Sequence, residues 1–415
     1  MTDFWRPDIQ RMPRAELRAL QEERLRALIT RIFDQPVPFF RRKMEAAGLG
    51  PDDVKSLDDL PKIPRAVKQE LRDDEAAHPP LGTYRGAPVE KSVRLSTSTG
   101  TTGRPSITLF TQHDLDVEYD AGARMFFRQG RRSGEVVTHA HPGGLNGGQS
   151  LLGGVIERFG CLNVPVGPPT SKDDIARALA LWRELRPHHY ELFGPVLHTF
   201  WEAAKAAGLD PERDLNMKPP SDVPPYRTVS AGLDAFAFLG SACVKENGSH
   251  VCEDEAIVEA VDPSSGEPVP DGQRGNLVVT TLTKDNAMLR YDLQDVVRLE
   301  RSACPCGETH LRAFWEGRRA DVVAVADKEL VPNDVHFALI DMKEVSEPVL
   351  EFQIVRGRDA SRLRVRVEAA APSDALRERV RARLGERLGV VVSLELVAAG
   401  SLPRPFYKPL RVVED

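Results

Sequence analysis

The run Ser96-Thr97-Ser98-Thr99-Gly100-Thr101-Thr102-Gly103 holds the densest set of phosphate-binding groups in the sequence. Glycine lets successive backbone N–H groups turn toward one point, and each hydroxyl adds a donor, which suits a phosphate chain. No Gly-Lys-Ser/Thr follows, so the P-loop pattern is excluded. A Ser/Thr/Gly surface linker is the simpler reading of such a composition. The closing Gly103-Arg104-Pro105 and the strand-like Ile107-Thr108-Leu109-Phe110 argue for a binding loop instead.

A second chemical grouping is soft. Cys243 and His250 stand six residues apart in the sense of Cys-x6-His, and Cys304-Pro305-Cys306-Gly307 forms a second knuckle. Four such ligands suit tetrahedral zinc, and four protein ligands close the shell as in a structural site. Cys252 and His310 are alternatives for one ligand, and buried free thiols are the competing reading. Cys161 lies in an apolar stretch and is expected in the core. His139-Ala140-His141 could be a metal or acid/base pair, or ordinary core and loop histidines. Neither a Gly-x-Ser-x-Gly elbow nor His-Glu-x-x-His occurs, so hydrolase readings lack support.

The stretch Thr97 to Pro105 resembles the nucleotide loop of the adenylate-forming superfamily of acyl-CoA synthetases. Ser106, where many members have lysine, and the first eighty residues point to its phenylacetate–CoA ligase branch. The resemblance covers nearly the whole chain. It implies that Thr97, Ser98, Thr99, Gly100, Thr101, Thr102 and Gly103 hold phosphates. Leu289-Arg290-Tyr291-Asp292-Leu293-Gln294-Asp295 is similar to the family's Arg-Tyr-x-x-x-Asp segment, which makes Asp295 the acceptor for both ribose hydroxyls. Gly317-Arg318 resembles the Gly-Arg pair at the domain junction, with Arg318 on ribose or phosphate. Near the end of the chain, residues 402–411 resemble the family's terminal lysine motif, which assigns Lys408 to the adenylation transition state. His141 and Gly144 fall in the region that lines the family's acyl pocket. Relatives with a similar Cys…His…Cys-x-Cys set strengthen the zinc reading.

Three departures stand out. The family's Tyr-Gly-x-Thr-Glu motif aligns with Ala231-Gly232-Leu233-Asp234-Ala235, where only Gly232 matches, and Asp234 serves the magnesium side only after a one-residue shift. Ala320 stands where aspartate or lysine is usual, with Asp321 adjacent. The glycine-bearing loop that passes the pantetheine arm aligns with Ala326-Asp327-Lys328-Glu329. The resemblance therefore implies ATP and Mg2+ more firmly than CoA.

The elements that position these groups follow from periodicity. Helices are expected over 13–33, 39–47, 149–159, 176–185, 196–207 and 373–388, the last with Ser373 as N-cap. Strands are expected over 189–193, 256–261, 276–282, 351–355, 362–367 and 390–397. Alternating strands and helices argue for an α/β fold with parallel strands. Residues 1–317 are expected to form a large nucleotide- and acyl-binding domain of mixed sheets and helices that includes the zinc knuckle. Residues 318–415 are expected to form a small α+β domain with the hinge near 317–321, which the resemblance makes a mobile lid carrying Lys408.

Bulk properties narrow the partners. The 415 residues carry a net charge of −6 with 28% charged and 41% hydrophobic residues. A nonspecific nucleic-acid grip is not suggested. Five cysteines are too few and too uneven for a disulfide scaffold. With neither a signal peptide nor a membrane span expected, the compartment expected is the cytoplasm. The resemblance implies ATP-dependent conversion of a carboxylic acid, aromatic or otherwise hydrophobic, to an acyl-adenylate and then to an acyl-CoA. Transfer to an amine and a non-catalytic nucleotide-binding relative are the alternatives. A small-molecule carboxylate is the expected partner, and a homodimer is allowed.

Overall fold

The computed structural model describes residues 4–34, 37–97, 106–141, 143–145, 147–192, 194–219, 228–229, 235–245, 248–347, 349–357, 359–403 and 410–415. Two compact units emerge; the second takes in Trp315–Asp415 together with Gln294–Val296. The expected boundary at 317/318 thus falls inside one strand, Arg312–Arg318.

In the first unit, helix Arg14–Asp34 buries Leu17, Gln21, Leu25, Leu28, Ile29 and Ile32 along one face. Leu20, on the same helix, is half-exposed. Strands Ser92–Thr97 and Ile107–Thr111 pair antiparallel, with Thr97 opposite Ile107. Helix Gln112–Arg128 follows at once. Its start is set by a reciprocal cap: Asp114 N–H donates to the Thr111 hydroxyl at 3.1 Å, and Thr111 N–H donates to the Asp114 carboxylate at 3.0 Å.

A three-stranded parallel sheet has Val136–His139 in the centre, flanked by Leu162–Pro165 and His189–Glu191. Helices Gly147–Arg158 and Lys172–Leu185 make the crossovers that parallel strands require. Trp182 is fully buried and donates to the Thr138 hydroxyl at 2.8 Å, tying a crossover helix to the central strand.

The larger sheet runs in the order Ala256–Val261, Gly275–Thr281, Tyr291–Glu300, Arg312–Arg318, Ser249–Val251, Gly240–Ala242, Thr228–Val229. Ala66–Val67 joins it parallel to the start of Tyr291–Glu300. Every residue of its first two strands is buried, so both faces are covered. Among the described residues no helix is long and apolar enough to cross a membrane.

The second unit has its own core. Four strands in the order Val392–Ala398, Leu363–Ala369, Phe352–Arg356, Val412–Glu414 pack against helices Pro332–Leu339 and Asp374–Leu388. Ser373 caps the last helix by accepting from Leu376 N–H at 3.2 Å, and Gly389 ends it at φ 64°. Strands Val323–Val325 and Lys328–Leu330 form a small hairpin.

Candidate functional site

Thr97 ends the strand entering the glycine-rich run; its N–H donates to the Leu145 carbonyl at 2.6 Å. That bond sets the start of the expected phosphate loop beside Gly144, an expected acyl-pocket residue. Gly143 and Gly144 have φ of 63° and 66°, and a side chain at either would be strained. His141 is half-buried and stacks on His139 with ring centroids 5.2 Å apart. Burial, helped by the neighbouring His139, pulls His141 down to about 4, so its ring is neutral at physiological pH. The expected phosphate residues Ser98, Thr99, Gly100, Thr101, Thr102 and Gly103 lie outside the described residues, as do Asp234 and Lys408.

Asp295 and Arg318 sit on strands Tyr291–Glu300 and Arg312–Arg318, neighbours in the large sheet. Their side chains come together, with Arg318 Nε 3.9 Å from Asp295 Oδ1. A carboxylate and an exposed guanidinium on adjacent strands can receive a diol and the phosphate bonded to it.

Arg290 lies in the same motif but has a different task. Its guanidinium is buried, pairs with Glu259 at 2.9 Å, and donates to the carbonyls of Pro61, Ile63 and Gly266. Burial pushes the Glu259 carboxyl up in spite of that pairing. Arg290 therefore anchors the start of strand Tyr291–Glu300.

The four soft ligands converge. Cys243, His250, Cys304 and Cys306 place their ligand atoms within 4.8 Å of one another. Cys243 and Cys304 sulfurs are 3.5 Å apart, and His250 Nε2 is 3.2 Å from the Cys306 sulfur. Nδ1 of His250 lies 2.8 Å from the His310 carbonyl, which fixes a proton on Nδ1 and leaves the Nε2 lone pair facing the sulfurs. Backbone N–H groups of Lys245 and Glu308 donate to the Cys243 and Cys306 sulfurs at 3.3 and 3.4 Å. Glu308 is held from behind by Arg128, whose Nε donates at 3.0 Å. The two alternatives from sequence do not join the cluster. Both ring nitrogens of His310 face backbone carbonyls, those of Val251 and Ile9. Cys252 is buried apart, its thiol pushed up to about 12 by burial. Cys161 is buried as expected.

Comparison with known proteins decides the family. No family model matches the chain. The phenylacetate–coenzyme A ligase of Thermus thermophilus is 33% identical over 456 aligned positions, covering 99% of both chains. The chain belongs to the phenylacetate–CoA ligase family. The Escherichia coli member is 28% identical, with 96% of this chain and 95% of the relative covered. A crystal structure of 2-hydroxyisobutyryl-CoA ligase, in the postadenylation state with its acyl-adenylate, superposes with a TM-score of 0.86 at 26% identity. That match covers all of this chain and 93% of the ligase. The α/β adenylate-forming fold and an AMP-forming acid–CoA ligase activity follow for this member of the phenylacetate–CoA ligase family.

Sequence reasoning missed Arg128, Glu308 and the His310 carbonyl, which support the soft cluster, and Arg290 as an anchor. Their partners are far away in the chain, so no local signature marks them.

Proposed function

We propose that the protein adenylates a hydrophobic, aromatic carboxylic acid and passes the acyl group to CoA. A carboxylate oxygen attacks the α-phosphorus of ATP; the bond to the β-phosphate oxygen breaks and pyrophosphate leaves. The CoA thiolate then attacks the acyl carbon, and AMP departs with the electron pair of the acyl–oxygen bond. The observation that carries this reading is the pairing of Asp295 with Arg318 at 3.9 Å on adjacent strands of a ligase-family fold.

In this reading Thr97, Ser98, Thr99, Gly100, Thr101, Thr102 and Gly103 bind the phosphates, Asp295 accepts from the two ribose hydroxyls, and Arg318 contacts ribose or phosphate. Lys408 neutralises charge on the α-phosphate as it forms, from a small domain beginning at 318. Asp234 is the candidate carboxylate for Mg2+, which would offset charge on the leaving pyrophosphate. The neutral ring of His141 and the side-chain-free Gly144 suit an uncharged acyl pocket.

The soft cluster fits zinc by its donor set: three sulfurs and one nitrogen in mutual reach, with the imidazole tautomer fixed. Such a closed shell would brace the knuckles and take no part in the chemistry.

A second reading, transfer to an amine, has one observation in its favour. The hairpin Val323–Val325/Lys328–Leu330 turns through Ala326 and Asp327, where the family's glycine admits pantetheine, and Ala326 adopts φ 54°. Carboxylate-dependent ATP–pyrophosphate exchange across aromatic and aliphatic acids, wild type beside Lys408→Ala, tests adenylation. Product analysis with CoA and with amines then separates the acceptors. Absence of exchange with every acid, from folded protein, would sink the proposal.

A further inference from the structure

Glu118, Lys284 and the backbone of residues 235–238 form a buried knot that neither the nucleotide motifs nor the soft cluster uses. Glu118 lies on helix Gln112–Arg128 with no exposed surface. Its carboxylate accepts from two successive backbone N–H groups, Ala237 at 2.9 Å and Phe238 at 3.1 Å. Lys284 closes the knot. Its ammonium pairs with Glu118, donates to the Ala235 carbonyl at 2.8 Å, and lies 4.9 Å from the Phe236 ring centroid. Two side chains thereby hold three backbone groups of one short stretch.

The neighbours of the knot give it meaning. Asp285 and Asn286, next to Lys284, donate their N–H groups to the Asp114 carboxylate at 2.8 and 3.3 Å. The Thr111 hydroxyl donates to Asp285 at 2.7 Å, and Asn286 Nδ2 donates to the Leu109 carbonyl at 3.2 Å. Thr111 and Leu109 belong to the strand that leaves the glycine-rich run. Ala235 occupies the place of the family's motif glutamate, and a few residues past Asn286 the chain enters the strand bearing Asp295. One four-residue turn, 283–286, therefore joins the exit of the phosphate loop to the start of residues 235–238, just ahead of the ribose strand.

We infer that Glu118 and Lys284 are positioning residues for nucleotide binding, holding the adenine-side segment in register with the phosphate-side strand. A chain that lacks the family's Tyr and Glu at 231–235 depends the more on backbone placement there. Neither residue touches ATP; each acts through the backbone it fixes. The inference rests on the ligase reading above.

The test uses the full chain with Lys284→Met, Glu118→Gln, the double variant and Lys284→Arg. The double variant removes both charges at once and so leaves no unpaired ion buried. Measured are folding by circular dichroism, KM for ATP and kcat in pyrophosphate exchange, and hydrogen exchange at the amides of Ala237 and Phe238. The expected result is a folded double variant with KM for ATP raised about tenfold or more, kcat changed less than about threefold, and faster exchange at both amides. Lys284→Arg should recover part of the KM. A folded double variant with wild-type KM and wild-type amide protection overturns the inference. So does failure of all four variants to fold, which would assign the pair to fold stability alone. If wild type shows no exchange with any acid, the ligase reading fails separately. Calorimetric binding of ATP with Mg2+ then makes the same comparison, and equal affinities, or no binding by wild type, overturn the inference.

Discussion

Arg318 Nε stands 3.9 Å from Asp295 Oδ1, near enough to attract and too far for a hydrogen bond between those atoms. The Arg318 side chain is 54% exposed, so the pair adds only about 0–1 kcal/mol to stability. On the proposed reading, the two side chains meet there to receive the ribose and its phosphate. A hydrogen bond to a charged group contributes about 1.5–3 kcal/mol. Asp295→Ala, losing two such bonds to the ribose, should raise KM for ATP at least about a hundredfold while leaving thermal stability within about 1 kcal/mol of wild type. Steady-state kinetics beside a melting curve checks this; an unchanged KM would remove Asp295 from the site.

The soft cluster carries its own expectation. Purified protein should contain one zinc per chain by elemental analysis, and Cys304→Ser should lose it. Gly248 links the first knuckle, at φ 73°, and its carbonyl accepts from Cys243 N–H at 2.9 Å. A Cβ there would meet the Phe314 ring at 2.8 Å. Gly248→Ala should therefore weaken zinc retention against a chelator although it changes no ligand. A variant that holds zinc as tightly as wild type would show that the knuckle tolerates rebuilding.

These two sites were legible to different degrees, for physical reasons. The soft cluster was legible because cysteine and histidine are few and their side-chain chemistry is specific. Ser373 at the head of its helix was legible because capping is local. Glu118 with Lys284 and Arg128 with Glu308 were not, since the partners lie 166 and 180 residues apart and look in sequence like solvated charges. The antiparallel order of the large sheet was equally hidden: strands Ser249–Val251 and Arg312–Arg318 pair across sixty residues without a pattern to announce it. Arg290 drew no role of its own in the sequence, because a motif match marks a position without saying whether its side chain faces ligand or core.

His336, on helix Pro332–Leu339, should make the C-terminal unit sensitive to acid. Burial, with Arg411 nearby, pulls its imidazole down to about 4. An unfolded histidine takes its proton near pH 6.5. Between those values the unfolded chain binds more protons than the folded one, so stability falls as pH drops from about 6.5 toward 4. The full span is worth up to about 3 kcal/mol. Denaturant unfolding of wild type and His336→Gln at pH 7.5 and pH 5 measures it. The variant should lose less stability on acidification than wild type, and parallel losses would show that His336 does not titrate in this range.

Arg290 offers the sharpest separation of folding from chemistry. Its Nε and both terminal nitrogens donate to Glu259 and to the carbonyls of Pro61, Ile63 and Gly266. Lysine has three donors on one point and no planar fork, so Arg290→Lys leaves part of this set unmet. Lysine keeps a charge opposite Glu259, so the loss is that of the carbonyls left unmet, about 1–3 kcal/mol each, which lowers the melting temperature by a few degrees. Replacing both charges, Arg290→Met with Glu259→Leu, leaves all three carbonyls unmet and should be no more stable than Arg290→Lys. Below its melting temperature, Arg290→Lys should keep a KM for ATP within about threefold of wild type, since on this geometry the guanidinium spends its donors on the protein (about 0.7 kcal/mol at most is then left for the ligand). A melting point like that of wild type, with KM raised a hundredfold, would reverse the assignment and place Arg290 on the nucleotide.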